Sequence, residues 1–218
     1  MAKTLFFDLD GTLTDSGPGI MNCAAFALER LKLPVPEREA LRAFVGPPLR
    51  RIFPKFGVPE DQVDEAVRIF RERYIPVGKF ENTPYPGIET LLQRLKQAGF
   101  TLFVATSKPE TTAVEVLEHF GLAGYFAKIC GDSMERGRET KQEVLACLLA
   151  QSGTPDRLLM IGDTDYDVLG AKAHGIATIG CTWGYGDAES LRQAGAMALA
   201  NTPEELYTLL LNAFSGRK

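Results

Sequence analysis

Histidine is nearly missing from this sequence, with two in 218 residues, and tryptophan occurs once. The four cysteines stand far apart at 23, 130, 147 and 181, and no two have C-x-x-C spacing. Neither a zinc site nor a disulfide framework is expected, and the thiols read as reduced and mostly buried. A surplus of positive charge is also missing: 24 Lys and Arg face 28 Asp and Glu, a net −4. That balance supplies no basic field for nucleic acid or an anionic membrane, so neither is expected as a partner. Long apolar runs are absent too. The one near the N-terminus, Leu5-Phe6-Phe7, is cut by Asp8, so no signal core and no membrane span can be drawn. A cytoplasmic address is the expectation. Internal repeats and low-complexity tracts are lacking, which argues against an array or a disordered interaction protein.

What is present is a 45% hydrophobic chain long enough for one domain plus a sizeable insertion. Short apolar runs at Thr4–Phe7, Thr101–Ala105, Phe126–Cys130, Leu158–Ile161 and Ala177–Gly180 alternate with helical stripes at Ile88–Gln97, Thr112–Phe120 and Glu143–Leu149. This rhythm predicts an α/β fold, a parallel sheet flanked by helices. Residues 17–84 break it. They hold no convincing strand and read as amphipathic helices punctuated by Pro34, Pro36, Pro47, Pro48, Pro54 and Pro59. The expected organisation is a core of residues 1–16 and 85–218 with an inserted all-helical cap over 17–84.

In open parallel sheets, ligands bind beyond the carboxyl ends of the strands. Three such ends carry polar groups: Asp8-Leu9-Asp10-Gly11-Thr12, Thr106-Ser107-Lys108, and Gly162-Asp163 with Asp167 four residues on. In an extended backbone, Asp8 and Asp10 leave on the same side. If a helix begins near Thr164, Asp163 sits at its N-terminal edge and Asp167 one turn further on. Converging carboxylates repel unless a cation neutralises them, and oxygen-only ligands favour Mg²⁺ over zinc. Asp-Gly-Thr is also an ordinary turn, and Asp163 can be a helix cap. The coincidence at three strand ends outweighs those readings.

These residues resemble the haloacid dehalogenase superfamily, specifically its phosphatases with a helical cap after the first motif, such as phosphoglycolate phosphatases. The first motif appears as Asp8-Leu9-Asp10-Gly11-Thr12, the second as Thr106, and the fourth as Gly162-Asp163 with Asp167. The resemblance covers essentially the whole chain and implies a Rossmann-like core. The third motif is a lysine opening a helix. Lys141 fits it best, without the proline that usually follows, and Lys108 is a competitor whose ordinary reading is an exposed loop lysine.

By this resemblance Asp8 is the nucleophile that forms an aspartyl-phosphate, and Asp10 is the acid and base for the leaving alcohol and the attacking water. Asp10 would reach the metal through its backbone carbonyl. Thr106, Ser107 and Lys141 would hold the phosphoryl oxygens. Asp8 and Asp163 would hold Mg²⁺, with Asp167 a direct or indirect partner. The substrate would be a small phosphorylated metabolite, phosphoglycolate or a 5′-nucleotide. Alternatives are a phosphosugar mutase and, from another class, a non-catalytic phospho-acceptor module used in signalling. In the cap, Gly46 and Arg50 within Val45–Arg51 are candidate substrate contacts, although a surface arginine is the plainer reading. Phe44, Phe53 and Phe56 would stack on a base or form core. Trp183-Gly184-Tyr185 resembles a loop beside the active site in this family. Monomer and homodimer are both open.

Overall fold

The computed structural model describes residues 3–133, 137–138, 140–152 and 157–215. In chain order its strands are β1 (Lys3–Phe7), β2 (Thr14–Asp15), β3 (Thr83–Pro84), β4 (Phe100–Pro109), β5 (Lys128–Asp132), β6 (Arg157–Gly162), β7 (Ala177–Cys181) and β8 (Ala198–Ala200). The helices are α1 (Gly17–Arg30), α2 (Arg38–Leu41), α3 (Leu49–Ile52), α4 (Val63–Tyr74), α5 (Ile88–Gln97), α6 (Glu110–His119), α7 (Lys141–Ser152), α8 (Asp165–Lys172), α9 (Ala188–Ala194) and α10 (Pro203–Ser215). The chain divides into two units, residues 1–14 with 84–218, and residues 15–83. The short strands β2 and β3 pair with each other in a separate two-stranded sheet.

The first unit is built on a sheet of order β5-β4-β1-β6-β7-β8, every neighbouring pair parallel. Leu5, Phe7, Leu102, Val104 and Ile161 project to one face and pack with Leu91 and Leu95 of α5, Val116 and Leu117 of α6, and Leu206 and Leu210 of α10. Phe6, Phe103 and Met160 project to the other, against Val144, Leu145 and Leu148 of α7 and Ala171 of α8. With helices over both faces, successive residues are all buried. The strands therefore read as unbroken apolar runs rather than alternating ones. Each such side chain taken fully from water contributes about 1.5–3 kcal/mol, and the Phe6 and Phe103 rings add an edge-to-face contact at 5.5 Å.

Register sets the level at which the strands end. Phe7 pairs with both Val104 and Ile161, so Asp8, Ala105 and Gly162 follow side by side. Between Ala105 and Pro109 the β4–β5 register shifts, and this irregular stretch holds Thr106, Ser107 and Lys108. The sequence did not foretell that bulge, nor β8, whose Ala-Leu-Ala carries no β-branched residue.

In the second unit, the described residues form helices and short 3₁₀ turns around an aromatic core. Phe44 packs on Phe53 at 5.1 Å and on Phe56 at 4.6 Å, and Phe53 meets Phe70. Phe44 and Phe53 are buried core, which removes them as a base-stacking platform, while Phe56 is half-buried against Phe44. Gly19 lies so close to Gly78 that a Cβ there would fall 1.9 Å from the Gly78 carbonyl oxygen. Arg73 grips both oxygens of Glu81 at 2.7 and 2.9 Å. Gly46 has φ +102°, a conformation that favours glycine. Arg50, on the single turn of α3, is exposed and pairs with Asp64 of α4.

Candidate active site

The carboxyl ends of β1, β4 and β6 meet at the centre of the sheet, where the strand order passes from one side of β1 to the other. The Asp8 N–H donates to Ile161 O at 2.8 Å, so β1 stays tied to β6 up to that residue. Asp163 follows β6 directly. Its Oδ1 accepts from the Thr12 hydroxyl at 2.9 Å and its Oδ2 from the Tyr185 N–H at 2.8 Å. Thr164 caps α8, and Asp167 completes a capping box, its Oδ2 accepting from Thr164 N at 3.1 Å and Oγ1 at 2.9 Å.

Lys141 opens α7 and reaches back across the sheet. Its Nζ lies 2.7 Å from Asp8 Oδ1, 2.7 Å from Asp167 Oδ1 and 2.8 Å from Ala105 O. Asp8 Oδ1 and Ala105 O accept hydrogen bonds from the ammonium, and Asp167 is its second ion-pair partner. Gly170 makes this possible, because a Cβ there would stand 2.8 Å from the lysine Cγ. Burial lowers the Lys141 pKa, but the charges of Asp167 and Asp8 outweigh it, and the group is held above its ordinary value.

Asp8, Asp163 and Asp167 are all buried, and one oxygen from each lies within 4.8 Å of the others. Burial first, then the charge of Asp167, pushes Asp8 up to about 7 despite Lys141, and the same causes push Asp163 up to about 8. One ammonium does not balance three buried carboxylates. The donor set is oxygen throughout, so a hard divalent ion such as Mg²⁺ fits it, and the pKa pattern shows the cation deficit that such an ion would fill.

Asp10 behaves differently. Its carboxylate is not one of the buried trio but accepts from Lys108 Nζ at 2.7 and 2.9 Å. Lys108 is thus corrected: it is no exposed loop lysine, its side chain being 3% accessible. Gly131 allows the approach of its strand, since a Cβ there would meet Lys108 O at 2.4 Å. Thr106 is buried and its hydroxyl accepts the Lys108 N–H at 3.1 Å, while Ser107 is half-buried beside it. Asp8, Thr106, Lys141, Asp163 and Asp167 are therefore brought together with Asp10 nearby through Lys108. Gly46 and Arg50 belong to the inserted unit.

Thr12, Thr164 and the Tyr185 N–H were not anticipated as supports of the acidic trio. The available signal was the glycine pair around Tyr185. A Cβ on Gly184 would fall 2.3 Å from Asp163 Oδ2, and one on Gly186 2.0 Å from Asp163 O. These glycines let a loop press its backbone onto a carboxylate. Trp183 fixes the same loop by donating from Nε1 to Thr12 O at 3.0 Å.

A parallel sheet that ends in an acidic trio, a buried lysine and a threonine defines a phosphoryl-handling hydrolase. The chain belongs to the haloacid dehalogenase-like hydrolase family, whose model matches residues 5–181, and it is a phosphatase of that family. It is 42% identical over 211 residues to the tyrosine-protein kinase PtkA of Mycobacterium tuberculosis, covering 95% of this chain and 72% of that one. A 5′-nucleotidase of Pseudomonas aeruginosa is 42% identical over 190 residues, covering 86% of each. A phosphoglycolate phosphatase of Chromobacterium violaceum is 33% identical over 219 residues, covering 96% and 97%. Among solved structures, a "predicted phosphatase" from Clostridium acetobutylicum superposes with a TM-score of 0.92 at 39% identity, covering 97% of this chain and 99% of that one.

Proposed function

We propose that this protein hydrolyses small phosphate monoesters through a covalent phosphate on Asp8, with Mg²⁺ held by Asp8, Asp163 and the Asp10 carbonyl. The observation that carries this reading is the seat of Lys141, whose ammonium touches the Asp8 carboxylate at 2.7 Å from the first residue of α7. A buried cation beside a nucleophilic carboxylate suits an anionic substrate better than it suits stability alone.

Asp8 attacks phosphorus in line, and the bond to the leaving alcohol breaks as the new P–O bond forms. Asp10 gives its proton to the leaving oxygen, then takes one from the water that cleaves the acyl phosphate, regenerating Asp8. Lys141 and the Thr106 and Ser107 hydroxyls bind the nonbridging oxygens. Asp167 orients Lys141 and holds Thr164 at the start of α8. A bound Mg²⁺ would neutralise charge where anionic nucleophile and anionic phosphate meet. The cap, residues 17–84, would select the leaving group through segments such as Gly46–Arg50.

The substrate class is a small phosphorylated metabolite, with phosphoglycolate favoured by the named relatives and 5′-nucleotides by the Pseudomonas one. The likeness to PtkA supports a second reading, transfer of phosphate to a tyrosine rather than to water. The deciding experiment measures phosphate release from phosphoglycolate, mononucleotides, sugar phosphates and an aryl phosphate, with Mg²⁺ and with chelator, beside ATP plus a tyrosine peptide. Chelator-sensitive release from one ester establishes the phosphatase mechanism. Sugar-phosphate isomerisation without release, labelled peptide, or a lasting phosphate on Asp8 without turnover would replace it by the mutase, kinase or signalling reading.

A further inference from the structure

Cys130 and Cys147 lie on the side of the sheet covered by α7. Cys130, in β5 and in register with Ala105, is fully buried among Val144, Leu145 and Leu148. Cys147, on α7, packs against the same cluster but is only half-buried. The two thiols therefore belong to one cluster between β5 and α7. The Cys147 sulfur also accepts from Arg138 Nη1 and from Gln151 Nε2, each at 3.0 Å. Arg138 is itself buried and anchored through Nη2 to Glu110 Oε2 at 2.7 Å.

Filling an apolar gap needs no polar donors on sulfur. Here a buried guanidinium and an amide both aim at one thiol, the electropositive and partly open setting in which cysteines react. Cys147 borders an open depression lined by Lys128, Arg138, Glu143 and Gln151, so a small solute reaches its sulfur while Cys130 stays behind it. The other thiols differ. Cys181 is sealed beneath Asp163, Asp167 and Asp8, and Cys23 is buried in the other unit.

We propose that Cys147 and Cys130 form a modification site that takes a hydroperoxide, Cys147 reacting first and Cys130 closing a reversible disulfide. The Cys147 sulfur attacks the terminal peroxide oxygen, the S–O bond forms, the O–O bond breaks, and the leaving oxygen departs as alcohol or water with a proton. Cys147 is now a sulfenic acid and the peroxide is reduced. Cys130 then attacks that sulfur, the S–O bond breaks, and the oxygen leaves as water with the Cys130 proton. Two thiols and one hydroperoxide give one disulfide, one alcohol and one water.

The test is peptide mapping under non-reducing conditions after hydrogen peroxide treatment of the whole protein. A linked Cys130–Cys147 peptide, lighter by two hydrogens and restored by dithiothreitol, is expected, with Cys23 and Cys181 still open to alkylation after denaturation. Cys130→Ala should leave Cys147 as a sulfenic acid that dimedone traps. Gln151→Leu, at an exposed position, should slow oxidation by about two- to tenfold, the worth of one hydrogen bond. The proposal is overturned if Cys147 passes to sulfinic acid in the wild type while Cys130 stays a thiol, if other cysteines pair instead, or if Cys147 survives doses that oxidise glutathione. Should Cys130→Ala fail to fold, the wild-type map and Gln151→Leu decide.

Discussion

Lys108 Nζ lies 2.7 Å from one oxygen of Asp10 and 2.9 Å from the other, a two-point grip on the carboxylate two residues beyond Asp8. The lysine comes from the irregular end of β4, and Thr106 holds its backbone N–H at 3.1 Å. The grip fixes the direction of the group assigned to proton transfer. Lys108→Met should lower kcat by about 10- to 100-fold, a part of the roughly 100- to 10,000-fold worth of a positioned acid and base, and Lys108→Arg should recover part of it. Unchanged kcat in Lys108→Met, from steady-state kinetics, would remove Lys108 from the machinery.

Asp8→Asn should stop turnover while the protein stays folded. The amide still accepts a hydrogen bond, Lys141 keeps Asp167 and Ala105 O, and one of three mutually repelling charges is gone. The melting temperature without metal should therefore hold or rise. Phosphate release by this variant at wild-type rate would dismiss Asp8 as nucleophile.

Stability without metal should fall as pH rises. Asp8 and Asp163 have folded-state pKa values raised to about 7 and about 8, so the native state holds protons that the unfolded chain has already released. The native state is penalised progressively between about pH 4 and pH 8, because there the unfolded carboxylates are ionised while the folded ones still hold their protons. Mg²⁺ relieves that penalty, and the rise in melting temperature on adding it should be larger at pH 8 than at pH 5. An equal rise at both would show that the ion is not bound by these groups.

Gly184→Ala places a methyl group where Asp163 Oδ2 stands, at 2.3 Å. Either the loop withdraws and the Tyr185 N–H is lost, or the carboxylate turns. Both weaken the metal site, by about 10- to 100-fold in affinity as for other supports behind a ligand. Titration of activity against Mg²⁺ checks this, and an unchanged midpoint would mean that the loop does not support Asp163.

The sheet was legible because its strands are buried on both faces. Leu5-Phe6-Phe7 and Leu158–Ile161 announce themselves as β1 and β6, and the stripe Ile88–Gln97 is α5 to the residue. β8 was not legible, being three residues of Ala-Leu-Ala recruited by its neighbour. At the site, spacing correctly put Asp163 ahead of α8 and Asp167 within its first turn. Asp10 lies close enough for its charge to help raise Asp8, but strand alternation does not set its position, since alternation holds only inside a strand. Past Phe7 the chain leaves the ladder, Gly11 turns with φ +90°, and Asp10 makes only an isolated bridge to Thr14. The burial of Lys108 depends on a register shift that hydrophobic pattern does not encode.

The level register of β1, β4 and β6 makes the sheet a ruler whose divisions are the strand spacing of about 4.8 Å. Distances among Asp8, Thr106 and Asp163 are set by that lattice and not by the number of residues between them. Tolerance to change is consequently directional. An extra residue in the turn at Ala98–Gly99, between α5 and β4, is absorbed far from the ends that matter, whereas one extra residue inside β1 carries Asp8 about 3.3 Å along the lattice and onto the opposite face.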